Sequence, residues 1–598
     1  MSRLMNLFNR KSTRIVSYCL CLVILLCLLP QGIFVLDGKA HDSGSVIDSE
    51  LAEIMQDSSE TELIPVSVWI EETDTELIEE QILKDIGINK EKIDELDPVG
   101  DPTADRLVDE YIAAERSIYS NLQSSINHEY WDSLVNSKAI DPALERKLYI
   151  CSYSPTIITQ LTKQEIAELA NNRSTQEIMY YENAFEVPAE DSARGEVIDL
   201  IDTTEIALAN IRVPEAHALG YTGSGIKIGQ LEPDIPDISV FSSASITIRP
   251  GDSNIQLHAT RVMEMMLNVA PDAQYYCADS ADSTDTFENA VEWLLSQGVN
   301  VINMSAGISG VGTYDTLSKW VDHLAINHSV HFVKSAGNNA IYISSPGMAY
   351  NIITVGAANN ALSARANFSC FVENGTLDST HYADKPDILA PGEGLYFEIE
   401  DDAGEHYDSG TSYAAPIVTG IAALMMQSRT SLKTRQASLK ACMLASIKNT
   451  TLRYVPSDTL YHECGAGLVD AYSSVITALY GHFTTGQYFS AGASTSTTKT
   501  YTFTTSSSDT IKRVALNWLQ YNTVTGSTHV GVTPSVGSYV NMNLKVLDPS
   551  NNVVETSDVT YGNVEIVQFT PQPSTTYTVV VSITNSPSQT AHFSVAWW

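Results

Sequence analysis

The sequence predicts an α/β protein: a doubly wound parallel sheet, flanked by an α+β domain before it and a β-sandwich after it. Two observations carry this. Between about residues 211 and 480, short continuous apolar runs alternate with helical patterns, the mark of parallel strands covered on both faces. Beyond residue 482 the texture changes to Thr, Ser, Val and Tyr with few charges, and short runs alternate in polarity between turns. At 598 residues the chain is too long for one core, and its length suggests three or four domains.

Residues 1–40 read as an export signal. Arg3, Arg10, Lys11 and Arg14 flank the apolar run 15–29, Pro30 breaks it, and Gly38-Lys39-Ala40 supplies small residues for cleavage. Cleavage makes the rest of the chain secreted. The other reading is an uncleaved anchor, because residues 33–36 extend the run toward spanning length, and membrane contact is expected only in that case.

Residues 41–200 read as the α+β domain. Residues 64–70 alternate like a strand, and 104–134 read as a helix with Leu107, Tyr111, Ile118 and Leu122 on one face. Residues 148–153 read as a second strand. Thr162 with Glu165 forms a capping box that opens a helix through residue 169, and 176–181 read as a closing strand. In the parallel-sheet domain, 201–480, the clearest strands are 226–231, 299–304, 331–334 and 352–355. In the sandwich, 481–598, residues 543–547, 564–570 and 576–583 alternate, with Asp548-Pro549-Ser550-Asn551 as a turn. No internal repeat or disordered linker is visible.

Thirty-four Lys and Arg against 72 Asp and Glu give a net charge of −38. Such a surface repels phosphate backbones, so no nucleic acid is expected as a partner. Cys19, Cys21 and Cys27 lie in the signal segment, leaving Cys151, Cys277, Cys370, Cys442 and Cys464. The four in the central domain allow two bridges in three pairings, with buried free thiols as the other reading. None of the cysteines shows metal-ligand spacing.

Three segments of the central domain carry chemistry together. Ser409-Gly410-Thr411-Ser412-Tyr413-Ala414-Ala415-Pro416 leads into a helix rich in small residues, so Ser412 sits where unpaired N–H groups favour developing negative charge. Pro416 is expected in the first turn of that helix. A serine hydroxyl becomes a good nucleophile only when a base takes its proton, and His258, in Leu257-His258-Ala259-Thr260-Arg261, suits that task near neutral pH. A tetrahedral oxyanion then needs donors. Asn338, in Ser335-Ala336-Gly337-Asn338-Asn339 after a buried strand, offers one and the Ser412 amide another. Each residue alone has a structural reading, as a helix cap, a core histidine or a turn asparagine; their joint occurrence does not.

Residues 211–480 resemble the subtilisin-like serine peptidases, the subtilases. The serine segment matches their Gly-Thr-Ser-x-Ala-x-Pro motif, and His258 and Asn338 match their histidine and oxyanion positions. Val269-Ala270-Pro271-Asp272-Ala273, Lys385-Pro386-Asp387 and Gly465-Ala466-Gly467-Leu468 add support. The resemblance implies a secreted serine endopeptidase acting on proteins or peptides. It implies that Ser305, Ala306 and Gly307 pair with an extended substrate and border its side-chain pocket. The segment of Ser335, Ala336 and Gly337 borders that pocket from the other side. The N-terminal domain resembles an enlarged inhibitory propeptide, which would make the chain a zymogen. The tail resembles β-sandwich or jelly-roll modules of bacterial secreted peptidases.

The chain departs from the family pattern in three places. The strand after Gly223-Ser224-Gly225 ends in Glu232 where the family has Asp, so Glu232 is the expected triad acid and Asp234 the runner-up. Ala259 replaces the glycine that usually follows the histidine. The loop that often carries calcium in relatives is missing. No cofactor is required; an acidic chain suits calcium, but no ligand set is visible and no metal residue is assigned. The competing reading is a catalytically silent member of this fold that binds peptides or surfaces.

Overall fold

The computed structural model describes residues 46–598 apart from 97–101, 182–202, 281–286, 308–311, 313, 373–384, 402, 449–460, 522–539, 559–561, 586 and 588–589. The expected export signal therefore lies outside the described residues. Among those described, no helix is long and apolar enough to cross a membrane.

The N-terminal part is built on an antiparallel sheet of β1 (Ile64–Ile70), β2 (Leu148–Ile150), β3 (Thr156–Leu161) and β4 (Thr175–Tyr180), in the order β2–β3–β1–β4. The capping box forms: the Thr162 hydroxyl accepts from the Glu165 amide at 3.3 Å, and Glu165 accepts from the Thr162 amide at 2.9 Å. Two expectations need correction. The strand expected over 148–153 ends at Ile150, and after a turn the chain returns as β3, which was not expected.

The long helix spans Pro102–Ser137, but Leu122 is exposed and its buried side runs through Val108, Ile112, Glu115, Tyr119, Gln123 and Asn127. Polar residues on that side hide it from an apolar-period search. Their burial has a cause: Arg116 reaches across to the central part. Its guanidinium donates to the carbonyls of His328 (2.9 Å), Leu295 (3.2 Å), Val299 (2.8 Å) and Ser329 (3.2 Å). These lie at the C-terminal ends of the helices Phe287–Ser296 and Thr316–Asn327, where carbonyls lack partners and a cation is favoured. Nearby, Glu292 accepts from the Tyr149 hydroxyl and from the amides of Ser152 and Tyr153, and Glu288 accepts from the Tyr181 hydroxyl.

The central part carries a parallel seven-stranded sheet: β5 (Lys227–Glu232), β6 (Ser245–Ile248), β7 (Gln274–Asp279), β8 (Val301–Met304), β9 (His331–Ser335), β10 (Ile353–Ala358) and β11 (Ile388–Pro391). The order is β11–β10–β9–β8–β5–β7–β6. The expected doubly wound α/β architecture is thus present. One face packs on the helices Leu257–Val269 and Thr411–Ser428, with Val262, Met266, Ile417 and Ile421 against Ile228, Val301, Val333 and Val355. The other packs on the helices Phe287–Ser296 and Thr316–Asn327, and Trp69 and Met179 of the N-terminal part join that cluster.

A short hairpin of β12 (Leu395–Tyr396) and β13 (Tyr407–Asp408) precedes the Thr411–Ser428 helix. The C-terminal part stacks two antiparallel four-stranded sheets over a shared core of Phe489, Trp518, Leu544, Val579 and Phe593. One is ordered β14 (Gln487–Phe489), β21 (Ala591–Trp597), β16 (Lys512–Trp518), β19 (Val564–Phe569). The other is β15 (Thr498–Thr504), β20 (Thr576–Ile583), β17 (Met542–Leu547), β18 (Val553–Ser557). Asn351 ties it to the central part, donating to the Gln520 carbonyl at 2.9 Å and accepting from the Gln520 amide at 2.8 Å. Cys151, Cys277, Cys370, Cys442 and Cys464 are buried and free, so neither bridge forms.

Candidate active site

The strand order reverses at β5, whose neighbours are β7 and β8. Connections leave in opposite directions there and open a crevice at the strands' carboxyl ends. β5 ends in Glu232 and β8 delivers Ser305, so both reach that crevice by topology.

Ser305 joins three elements. Its amide donates to Glu232 Oε1 at 3.0 Å, its hydroxyl donates to the Ser412 carbonyl at 2.8 Å, and its carbonyl accepts from Ser412 Oγ at 3.0 Å. The Ser412 carbonyl is free for this because Pro416, four residues on, has no N–H to complete the helical bond. Pro416 lies in the second turn of the helix Thr411–Ser428, not in the first as expected, and the Ser305 hydroxyl replaces the bond it removes.

Gly410 precedes this helix with an extended backbone that any residue could adopt. What it supplies is space. A Cβ there would stand 3.5 Å from Asn338 Nδ2 and 3.6 Å from the Ser412 amide nitrogen. Two N–H donors thus lie close together beside Gly410, with the Tyr413 ring edge at 3.6 Å from the same position. Asn338 is fixed by its other end: Oδ1 accepts from the Thr411 amide at 2.9 Å and the Thr411 hydroxyl at 2.8 Å. This pins the side-chain assignment, because the Thr411 amide can only donate and so must meet Oδ1, which leaves the NH₂ at the other end beside Gly410. Thr411 also accepts from the Gly337 amide at 3.0 Å.

His258 stands in the first turn of the helix Leu257–Val269. Its Nδ1 lies 3.4 Å from Glu232 Oε2, and its ring lies 5.8 Å from that of Tyr413, the residue after Ser412. Glu232 is wholly buried, and among the described residues Oε2 accepts no hydrogen bond. Asp234, the other candidate acid, accepts from Asn254 Nδ2. Burial raises the Asp234 carboxyl above its ordinary range, opposed by that bond and by the nearby His258.

One turn beyond His258, buried Arg261 binds Asp408 at 3.0 Å and the carbonyls of Ile399 and Glu405 at 3.1 and 2.7 Å. Asp408 in turn accepts from the Tyr413 hydroxyl at 2.6 Å. The histidine helix and the serine helix are therefore clamped through one carboxylate. The sequence offered a weak signal, a basic residue in phase with His258; nothing paired it with Asp408, which lies just before Ser412 but distant from Arg261 along the chain. Of the expected pocket residues, Ser305, Gly307, Ser335 and Gly337 lie on the two segments that flank Ser412 and Asn338. The Ala336 side chain turns away, packed among Ile343, Met348 and Cys370.

The family model for the subtilase family, Peptidase_S8, matches residues 244–467, a span that takes in His258, Asn338 and Ser412 and begins after Glu232. Subtilisin NAT of Bacillus subtilis subsp. natto is 30% identical over 246 residues, which cover 37% of this chain and 60% of that protein. The subtilisin of Bacillus pumilus is 30% identical over 246 residues, covering 37% of this chain and 83% of that protein. Among solved structures, the prenylagaramide maturation protease PagA aligns with a TM-score of 0.37 at 23% identity, covering 45% of this chain and 99% of that one. By its identity to these relatives, the chain belongs to the subtilase family, the subtilisin-like serine peptidases. It spans 60% of the length of subtilisin NAT.

Proposed function

We propose that this protein is a secreted serine endopeptidase, made as a zymogen, that hydrolyses peptide bonds of protein or peptide substrates. Ser412 Oγ attacks the scissile carbonyl while His258 takes its proton and later returns it to the leaving amine. Glu232 orients the ring through Nδ1 and offsets the imidazolium charge. Asn338 Nδ2 and the Ser412 amide receive the oxyanion. The acyl-enzyme is then hydrolysed by the reverse sequence. The N-terminal part serves as the inhibitory propeptide, held by Arg116 and Glu292, and residues 1–40 direct export.

The observation that carries this reading is the placement of two N–H donors, Asn338 Nδ2 and the Ser412 amide, side by side at Gly410 next to the Ser412 hydroxyl, with Asn338 held in that orientation by Thr411. One observation favours the silent-binder reading: the Ser412 hydroxyl donates to the Ser305 carbonyl. A fluorophosphonate reagent separates the two. Covalent labelling is expected in the natural chain and absent in Ser412→Ala; a folded protein that does not label, or a Ser412→Ala protein that does, rejects the assignment.

A further inference from the structure

Strand β9 reads His331-Phe332-Val333-Lys334-Ser335, a lysine in a run that is buried throughout. Nζ of Lys334 donates to the Ser335 carbonyl at 2.6 Å, to Ser335 Oγ at 2.9 Å and to Ser344 Oγ at 3.0 Å. All three acceptors are neutral. The other buried lysines of the described residues each face an aspartate: Lys385 and Lys440 bind Asp387 at 2.8 Å, and Lys433 binds Asp109 at 2.7 Å. Lys334 forms no ion pair among the described residues. A buried cation without a direct ion pair is costly, and burial pushes this ammonium down to about 7 although the Glu232 carboxylate acts the other way.

Its position gives that cost a use. The segments Ser305–Gly307 and Ser335–Asn338 flank the nucleophile and the oxyanion donor, so the residue preceding a bound scissile carbonyl lies between them. Both segments present glycine there. A Cβ on Gly307 would clash with the Ser345 carbonyl oxygen and stand 2.9 Å from Lys334 Cε and 3.1 Å from Nζ, and one on Gly337 would stand 3.2 Å from Cys370 Sγ and 3.4 Å from Ser344 Oγ. The ammonium and the hydroxyl thus lie close behind two walls that carry no side chains, with the Ser345 carbonyl and the Cys370 thiol beside them. Ser344 accepts from Nζ and so keeps its own O–H to donate.

We infer that Lys334 and Ser344 form the floor of the pocket for the residue preceding the scissile bond, and that they select an acidic side chain, aspartate or glutamate. The inference rests on the peptidase reading above. A carboxylate entering between Gly307 and Gly337 accepts from Ser344 and supplies Lys334 with a direct counter-charge, nearer than the Glu232 carboxylate, which acts on it without an ion pair. In a dry site, that attraction is little screened.

The test is kcat/KM for peptides that differ only in the residue before the scissile bond: Glu, Gln, Leu, Ala and Lys. They are offered to enzyme produced from the full chain, with fluorophosphonate labelling measured in parallel. Glu is expected to exceed its neutral isostere Gln by about tenfold or more, since a charged hydrogen-bonded contact is being removed. Lys334→Met should bring the ratio near one while labelling persists, and Ser344→Ala should reduce it in part. The Glu-to-Gln ratio of the natural enzyme needs no variant, so the inference stays testable should Lys334→Met fail to fold. A labelled enzyme that treats Glu and Gln alike, or that ranks Ala first because the lysine merely fills the pocket, overturns the inference and leaves the peptidase reading intact. Absence of labelling overturns the peptidase reading itself, and this inference with it.

Discussion

Oε2 of Glu232 lies 3.4 Å from Nδ1 of His258, at the end of a strand whose neighbours diverge on either side. The other oxygen, Oε1, is held by the Ser305 amide, so the carboxylate cannot swing away. Glu232→Gln keeps the shape and removes the charge. It should lower kcat by about 10⁴-fold, the size of effect seen when a triad acid becomes an amide. Asp234→Asn should change kcat by only a few fold. Glu232→Asp withdraws the carboxylate from both the ring and the Ser305 amide, so kcat should fall there too. Equal losses in Glu232→Gln and Asp234→Asn would reassign the acid.

Asn338→Ala removes one of the two donors and should lower kcat by about 10²–10³-fold with little change in KM, the effect known for losing this donor in a subtilisin. Gly410→Ala offers a second approach to the same point. Its Cβ meets no atom closer than 3.5 Å, so the fold should persist with an unchanged thermal midpoint, while kcat falls because the methyl group crowds the approach to both donors. Normal kcat in Gly410→Ala would mean that the oxyanion lies elsewhere.

Asp408→Asn tests the clamp between the two helices. It discharges the partner of buried Arg261 and weakens the Tyr413 contact. Chemical denaturation should show a loss of about 1.5–3 kcal/mol, the range for hydrogen bonds to charged groups. Turnover should fall as well, since His258 and Ser412 ride on the clamped helices; Tyr413→Phe should reproduce part of that loss.

Docking of the N-terminal part should depend on pH. Burial raises the Glu292 carboxyl to about 7, against an ordinary 4.5 once exposed. The docked state therefore holds the proton more tightly, so this contribution is fully present below about pH 4.5 and lost as pH rises through about 7. Binding of residues 41 to about 183 in trans to Ser412→Ala enzyme should weaken by about tenfold or more from pH 5 to pH 8, and Glu292→Gln should flatten the profile. A profile that Glu292→Gln leaves unchanged would place the titrating group elsewhere.

The strands of the central sheet were legible because burial on both faces leaves continuous apolar runs, and 226–231 was placed within one residue of β5. The long helix was legible in extent but not in orientation. Glu115, Arg116, Gln123 and Asn127 look like a solvent face in the sequence and are buried in the fold, because they meet partners that no local pattern reveals. The serine, histidine and asparagine segments were readable from residue type and local setting. Asp408 was not, although it stands just before the serine segment, since its role comes from Arg261, a partner far back along the chain. Lys334 was visible as a charge in a buried run, but only the distances to Ser344 and Gly307 give it a neighbourhood.

Every acceptor of the Arg116 guanidinium is a main-chain carbonyl. Substitutions along the two helices leave those oxygens in place, whereas the Glu292 contact disappears with one codon change. The arginine thus reads the end of a helix pair rather than its letters, and this half of the interface tolerates sequence drift in the catalytic part. Exchange of N-terminal parts between diverged relatives would then be limited by what surrounds Glu292, not by what Arg116 holds.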